Sequence, residues 1–221
     1  MAGRLFDNLP ASLADLTLGE GPRRKVLEGT ARLVVRRSFA ELTVQDLLDE
    51  AGIARRTFYK IYRSKEDALR DLFEVGSGLM LAVIEAAASA ASDPVLRISR
   101  GIEAFLDVQV QGAKLVVALT DEARRNGSLL APRREELLRR LGALVEREYA
   151  ELTGERVEPT LVRALLLGVE GLVIETHREG PLSSADRARL QAVLLPMVLR
   201  TLAPPGIELP ALPLREEGGS A

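Results

Sequence analysis

An all-α fold in two parts, a small helix-turn-helix head followed by a larger helical body, is what this 221-residue sequence predicts. Three observations carry that reading. Hydrophobic residues make up 47% of the chain but aromatics only 4%, with no Trp, so the core is built from Leu, Ala and Val, which suit helices. Apolar residues recur at helical spacing in segment after segment. Between the segments stand helix-start signals (Thr, Ser, Pro) and helix-stop signals (Gly).

Composition also excludes function classes. The absence of cysteine removes disulfides, thiolate metal sites and cysteine nucleophiles. His177 is the single histidine, so a multi-histidine metal site is out and a catalytic triad would rest on this one residue. No nucleophile and base stand at motif spacing and no phosphate loop occurs, so no catalytic residue, metal or cofactor is expected. No apolar run approaches the ~18 residues of a membrane span, and the N-terminus lacks a basic segment followed by an apolar one. The expectation is a soluble cytoplasmic protein with no membrane partner. The net charge is -2, but it divides unevenly: residues 21–70 carry 12 Lys and Arg against 7 Asp and Glu, or +5, leaving -7 elsewhere. The positive field is concentrated in the head, as nucleic-acid binding requires.

Residues 1–20 form an N-terminal extension, read as a frayed tail to residue 10 and left open between tail and packed helix beyond it. The first helix is expected over Arg23–Arg37, with Val26, Leu27, Thr30, Leu33 and Val34 inward and Phe39 packing past its end. Arg23, Arg24 and Lys25 sit unfavourably at its positive end, so they are either phosphate contacts or a solvated cluster. Thr43 and Asp46 have capping-box spacing and start the second helix, whose Val44, Leu47, Leu48 and Ala51 share one face. Gly52 suits the left-handed stop, and Ile53 follows as an apolar plug. In the third helix Phe58, Ile61 and Tyr62 face inward, which leaves Arg55, Arg56, Tyr59 and Lys60 outward, either to enter a major groove or as a plain solvated face. Ser64 and Asp67 repeat the capping signature and place Lys65 in the first turn of a fourth helix, expected to run to about Val75.

Over these residues the chain resembles the TetR family of transcriptional regulators. The resemblance rests on Thr43-Val44, Asp46-Leu47, Ala51-Gly52-Ile53, Thr57-Phe58-Tyr59, Tyr62 and Ser64-Lys65-Glu66, preceded by the aromatic Phe39, and it covers about residues 21–73. Three positions depart from the family pattern: Ala54 where Ser or Thr is usual, Ile61 where a polar residue is common, and Ser38 in place of a helix-ending Gly. The resemblance implies a DNA-binding head at 21–75 and a ligand-binding and dimerisation domain at 76–202.

Gly76-Ser77-Gly78 interrupts the pattern and reads as a boundary or a bend. An Ala-rich helix then leads to Ser92-Asp93-Pro94, and the next helix puts Ile102, Phe105, Leu106, Gln109, Ala113 and Val116 or Val117 on one face. Gln109 is a satisfied core or rim glutamine, or else a ligand-orienting group. Pro132 opens an amphipathic helix along Leu137, Leu138, Leu141, Leu144 and Val145. The segment from Pro159 is apolar almost all round from Leu161 to Ile174, so it needs cover on both sides. Its exceptions, Arg163, Glu170 and His177, recur every seven residues, as a solvated seam at a dimer edge or a stripe bordering a pocket. Ser183 or Ser184 caps the last helix, whose stripe Leu190, Val193, Leu194, Met197 and Val198 is interrupted by a Pro196 expected to kink it. Residues 203–221, rich in Pro and Gly, read as a disordered tail.

The expected function is a homodimeric regulator, in the repressor sense, of a palindromic double-stranded DNA operator, released by an unidentified small apolar or amphipathic effector. A ligand-independent DNA-binding or protein-interaction module is the alternative, and an enzyme is the disfavoured class. Thr43, Tyr59 and Lys65 are candidates for phosphates; Arg55, Arg56, Thr57 and Lys60 for base edges. Phe105, Gln109, Val116 and Glu170 are candidate pocket residues, and Gly168, Gly171, Leu190, Leu194 and Met197 candidate dimer contacts.

Overall fold

The computed structural model describes residues 20–180 and 182–202, and among these every regular element is helical. The order is α1 (Pro22–Arg36), a 3-10 turn (Phe39–Glu41), α2 (Val44–Ala51), α3 (Arg55–Tyr59), α4 (Lys65–Ser89), α5 (Pro94–Arg124), α6 (Ala131–Thr153), α7 (Pro159–Glu179) and α8 (Ser184–Leu202). The expectations for 1–19 and 203–221 lie outside the described residues.

Local chemistry sets the boundaries. Proline sits in the first turn of α1, α5, α6 and α7, where its missing N–H costs nothing. Thr43 and Asp46 form the expected capping box on α2, and Gly52 ends it in the left-handed conformation at φ 62°. Gly154 closes α6 in the same way at φ 74°. Asp93 caps α5 by accepting from the Leu96 amide at 2.9 Å.

The head is organised around one core cluster. Val26, Leu27, Phe39, Leu42, Leu47, Phe58, Leu69 and Leu72 are buried together, and Leu115, Leu119 and Leu130 from α5 and the start of the α6 segment complete the cluster. Head and body therefore share a core. Gly29 of α1 comes so close to α2 that a Cβ there would stand 3.3 Å from both the Cβ and the amide nitrogen of Ala51.

The expected break at Gly76-Ser77-Gly78 does not occur. Lys65–Ser89 is one continuous helix of 25 residues, and Val75, Leu79, Met80, Leu81 and Ile84 are buried along it. Each glycine costs roughly 1 kcal/mol of helix propensity, which burial of several large apolar side chains on the flanking turns outweighs. α4 is also apolar and long enough to pass for a membrane-spanning helix, but its apolar sides pack on α1, α5 and α6. Pro196 lies within the continuous α8.

The regular stripe on α8 faces its own chain. Leu190 and Leu194 are 2% and 0% exposed and pack with Leu106 and Val173, so they are not dimer contacts. Periodicity showed that a face is covered, not which chain covers it. Met197 is half-buried against the same core, whereas Gly168 and Gly171 have open space where a Cβ would stand. The surface left outward by α7 and α8 carries Leu161, Leu167, Leu172 and Val193, each 37–40% exposed. Arg163 and Glu170 both pair with α6. Arg163 donates to Glu135 Oε2 at 2.9 Å, and the Arg134 guanidinium grips Glu170 with both nitrogens, one at 3.0 Å.

Candidate nucleic-acid interface

The site is built on α3, five residues long and held by what lies beneath it. Ala54 gives α3 no side-chain cap, and its carbonyl accepts from the Thr57 and Phe58 amides at 2.9 and 3.1 Å. Phe58 is fully buried, with its ring edge-on to Tyr59 at 5.4 Å and tilted against Tyr62 at 5.7 Å. This anchoring turns Arg55, Arg56, Tyr59 and Lys60 outward together, with Tyr59 49% exposed and Thr57 half-buried at the edge. Arg56 and Lys60 have no hydrogen-bonded or ionic partner among the described residues.

Arg55 is positioned rather than loose. Its Nη2 donates to Gln45 Oε1 at 2.8 Å, and Gln45 Nε2 donates to Asp49 Oδ1 at 2.7 Å, so α2 steadies the guanidinium of α3. Gln45 thereby joins the outward face; its spacing to Arg55 across a turn carried no signal.

Two expected phosphate contacts are otherwise engaged. Lys65 Nζ lies 4.8 Å from the centre of the Phe39 ring and donates to the carbonyls of Phe39, at 3.2 Å, Ala40, at 3.4 Å, and Leu42. All three of its protons serve the end of the 3-10 turn, which it staples to α4. The Thr43 hydroxyl donates to Asp46 Oδ2 at 2.7 Å while accepting from the Asp46 amide, and the Thr43 amide donates to the same carboxylate. Both donors of Thr43 are spent on the cap.

Ion pairs lock the frame. Arg23 grips Asp71 with two nitrogens, at 2.8 and 2.6 Å, and the Tyr62 hydroxyl donates to the same carboxylate at 2.5 Å, tying α1, the segment after α3, and α4. Burial, then the Asp71 carboxylate, push the Tyr62 phenol far above its ordinary range. Arg32 donates to Glu50 Oε1 at 2.6 Å and Arg36 holds the other oxygen, which keeps the Glu50 carboxyl below its usual range. The Thr43 hydroxyl, then Arg37, hold the Asp46 carboxyl well below the carboxylate range.

With this geometry in place, comparison with known proteins is direct. Residues 26–72 match the family model described as bacterial regulatory proteins, tetR family. The head is thus similar to the DNA-binding domain of the TetR family. The chain is 37% identical over 94 residues to the HTH-type transcriptional regulator EthR of Mycolicibacterium smegmatis. That match spans 42% of EthR's length and 40% of this chain. Two solved structures share the fold: a TetR family transcription regulator from Marinobacter aquaeolei VT8, at TM-score 0.60 and 18% identity over 80% of this chain and 93% of that one; and a TetR family member from Streptomyces coelicolor A3, at 0.55 and 19% over 84% and 92%.

The body of the chain holds a second candidate site. A cavity of about 120 Å³ lies among α4, α5, α6 and α7, walled by Ile84, Ile98, Phe105, Leu144, Leu166 and Val169. Phe105 is where the sequence placed it. Gln109, though buried, and Glu170, paired with Arg134, do not line this cavity, and Val116 lines a different one of about 70 Å³. The sequence reading missed Arg97 and Glu148, which border the larger cavity. Glu148 is 5% exposed and accepts from Arg147 at 3.0 and 2.8 Å. A carboxylate one turn beyond Leu144 and Val145 on an apolar stripe was the available signal.

Proposed function

We propose that the chain is a homodimeric regulator that binds an inverted-repeat DNA operator through α3 and releases it when an effector occupies the body. The observation that carries this is the outward group on α3: two unpaired cations, Arg56 and Lys60, beside Arg55 and the exposed Tyr59, on a head of net +5. Arginine forks match guanine edges in the major groove and lysine adds charge toward phosphates. Thr57 and Gln45 border the same face. Thr43 and Lys65 belong to its scaffold.

One recognition helix reads few base pairs, so a dimer is needed to present two, ~34–36 Å apart or a longer multiple. The outward apolar surface of α7 and α8, with Gly168 and Gly171 allowing close helix approach, supports a second copy there. By linkage, an effector that weakens DNA binding is itself held less tightly by the DNA-bound form. Cytoplasmic location follows from that role.

Selection of bound duplexes from a random pool with purified protein at physiological salt tests the reading. Enrichment of an inverted repeat is the expected result; unordered sequence from a folded protein would overturn it. Arg56→Ala should then shift the selected sequence and lower affinity by about 1–3 kcal/mol.

A further inference from the structure

Arg55 is restrained differently from the framework arginines of the head. Arg23, Arg32 and Arg37 each meet a carboxylate directly, that of Asp71, Glu50 and Asp46 in turn, and so belong to the frame. Arg55 instead meets the neutral amide of Gln45, Nη2 donating to Oε1 at 2.8 Å, and that amide donates from Nε2 to Asp49 Oδ1 at 2.7 Å. Chemistry allows this chain of bonds one polarity only. A guanidinium has donors and no acceptor, and an ionised carboxylate has acceptors and no donor. The amide between them must therefore turn its oxygen to Arg55 and its NH2 to Asp49.

The arrangement serves neither the core nor α3. All three residues are exposed, and none belongs to the core cluster of the head. A cation in the first turn of a helix that lacks a side-chain cap opposes the helix dipole. Nor is Arg55 discharged: the intervening amide keeps the carboxylate off the guanidinium, which retains its charge and, with one N–H engaged, enough donors for a two-pronged contact with a guanine edge. Arg56, its neighbour, has no such support among the described residues and so has more rotamer freedom to lose on binding.

Resting on the reading that α3 enters the DNA groove, we infer that Gln45 and Asp49 are specificity-determining positioning residues. Through the polarised relay they hold the Arg55 guanidinium in the pose in which it reads one guanine of each half-site, and they touch no base themselves.

Duplex selection from a random pool, with the parent and with Arg55→Ala, Asp49→Ala and Gln45→Met, tests this. Affinities are then measured for the enriched parent sequence, for its single-base-pair substitutions and for an unrelated duplex. Arg55→Ala marks the position that Arg55 reads. At that position Asp49→Ala and Gln45→Met should each lower discrimination about three- to tenfold, while the position marked by Arg56→Ala stays as it was. Asp49→Glu, which keeps an acceptor within reach, should retain the preference. Asp49→Ala should bind the unrelated duplex as tightly as the parent or more tightly, since a negative charge near the phosphates is gone. In an Arg55→Ala background neither substitution should alter preference further.

A uniform gain in affinity with unchanged preference would reduce Asp49 to a repelling charge and overturn the inference. So would a loss of preference at another position, which would make Gln45 a base reader in its own right, or effects that add to those of Arg55→Ala. If the parent enriches no inverted repeat, the operator reading fails and the inference falls with it; a repeat that the relay variants select as the parent does sinks the inference alone.

Discussion

The head and the body of this protein solve the same packing problem to different tolerances. In the head, Phe58, Leu27, Leu69 and Leu72 are fully buried and each neighbouring element is tied by a named ion pair or cap, Arg23–Asp71, Arg32–Glu50, Lys65 to the 3-10 turn. In the body, the same long helices leave one cavity, share a smaller one with Phe73, Leu115 and Leu119 of the head's core, and hold a charged cluster around the buried Glu148 whose hydrogen bonds are incompletely aligned. The contrast teaches where rigidity is needed: an outward face of four side chains on a five-residue helix holds its geometry only if nothing beneath it shifts, whereas a binding chamber needs room.

The sharpest way to break this comparison is Phe58→Ala. Removing a fully buried aromatic beneath α3 should cost about 3–5 kcal/mol, read as a lowered denaturation midpoint, with operator affinity lost alongside. If stability fell by less than about 1 kcal/mol, the head would not be organised around the one cluster described. Lys65→Met comes next: loss of donors to three carbonyls should destabilise the head by about 1–3 kcal/mol. Salt dependence of DNA binding should stay unchanged, and a slope shallower by about one would restore Lys65 to the phosphate contacts.

A paired glycine experiment compares tolerances directly. Gly101→Ala, whose Cβ would make an ordinary 3.5 Å contact with Ile84, should stabilise by about 0.5–1 kcal/mol, because alanine is the better helix former. Gly29→Ala should lose that gain or reverse it, since its Cβ would press on the backbone of Ala51 at 3.3 Å. Equal thermal shifts would erase the distinction. The smallest effect concerns acid. Asp46's carboxyl is depressed in the fold, so its contribution is complete above the ordinary Asp value of about 3.9 and is lost as pH falls from there through the depressed value. Asp46→Asn should therefore flatten the decline in stability below pH ~4, checked by denaturant melts across that range.

What could be read from the sequence divides along the same line. The capping box at Thr43 and Asp46, the left-handed Gly52 and the inward Phe58 were legible because each is decided within one turn of chain. The partners of Lys65, Arg23 and Glu170 were not legible because they lie 23–26, 48 and 36 residues away, and a charged side chain carries no mark of whether it is paired. Gly76-Ser77-Gly78 was read as a stop because propensity is local, while the burial that overrides it comes from other helices. Leu190 and Leu194 were rightly inward but given to the wrong neighbour. The cavities left no signature, since a void is a property of several helices at once.

The knot of Tyr62 on Asp71 also gives the protein a built-in optical probe. With no Trp and three tyrosines, its near-ultraviolet spectrum comes mainly from phenols. Because the Tyr62 phenol is raised, its contribution to stability is intact below the ordinary tyrosine value of about 10 and fades as pH climbs toward the raised one. An alkaline absorbance titration of Tyr62→Phe beside the parent should thus lack a late-appearing phenolate, and that missing band would report, without any label, the moment at which α1, α4 and the recognition helix part company.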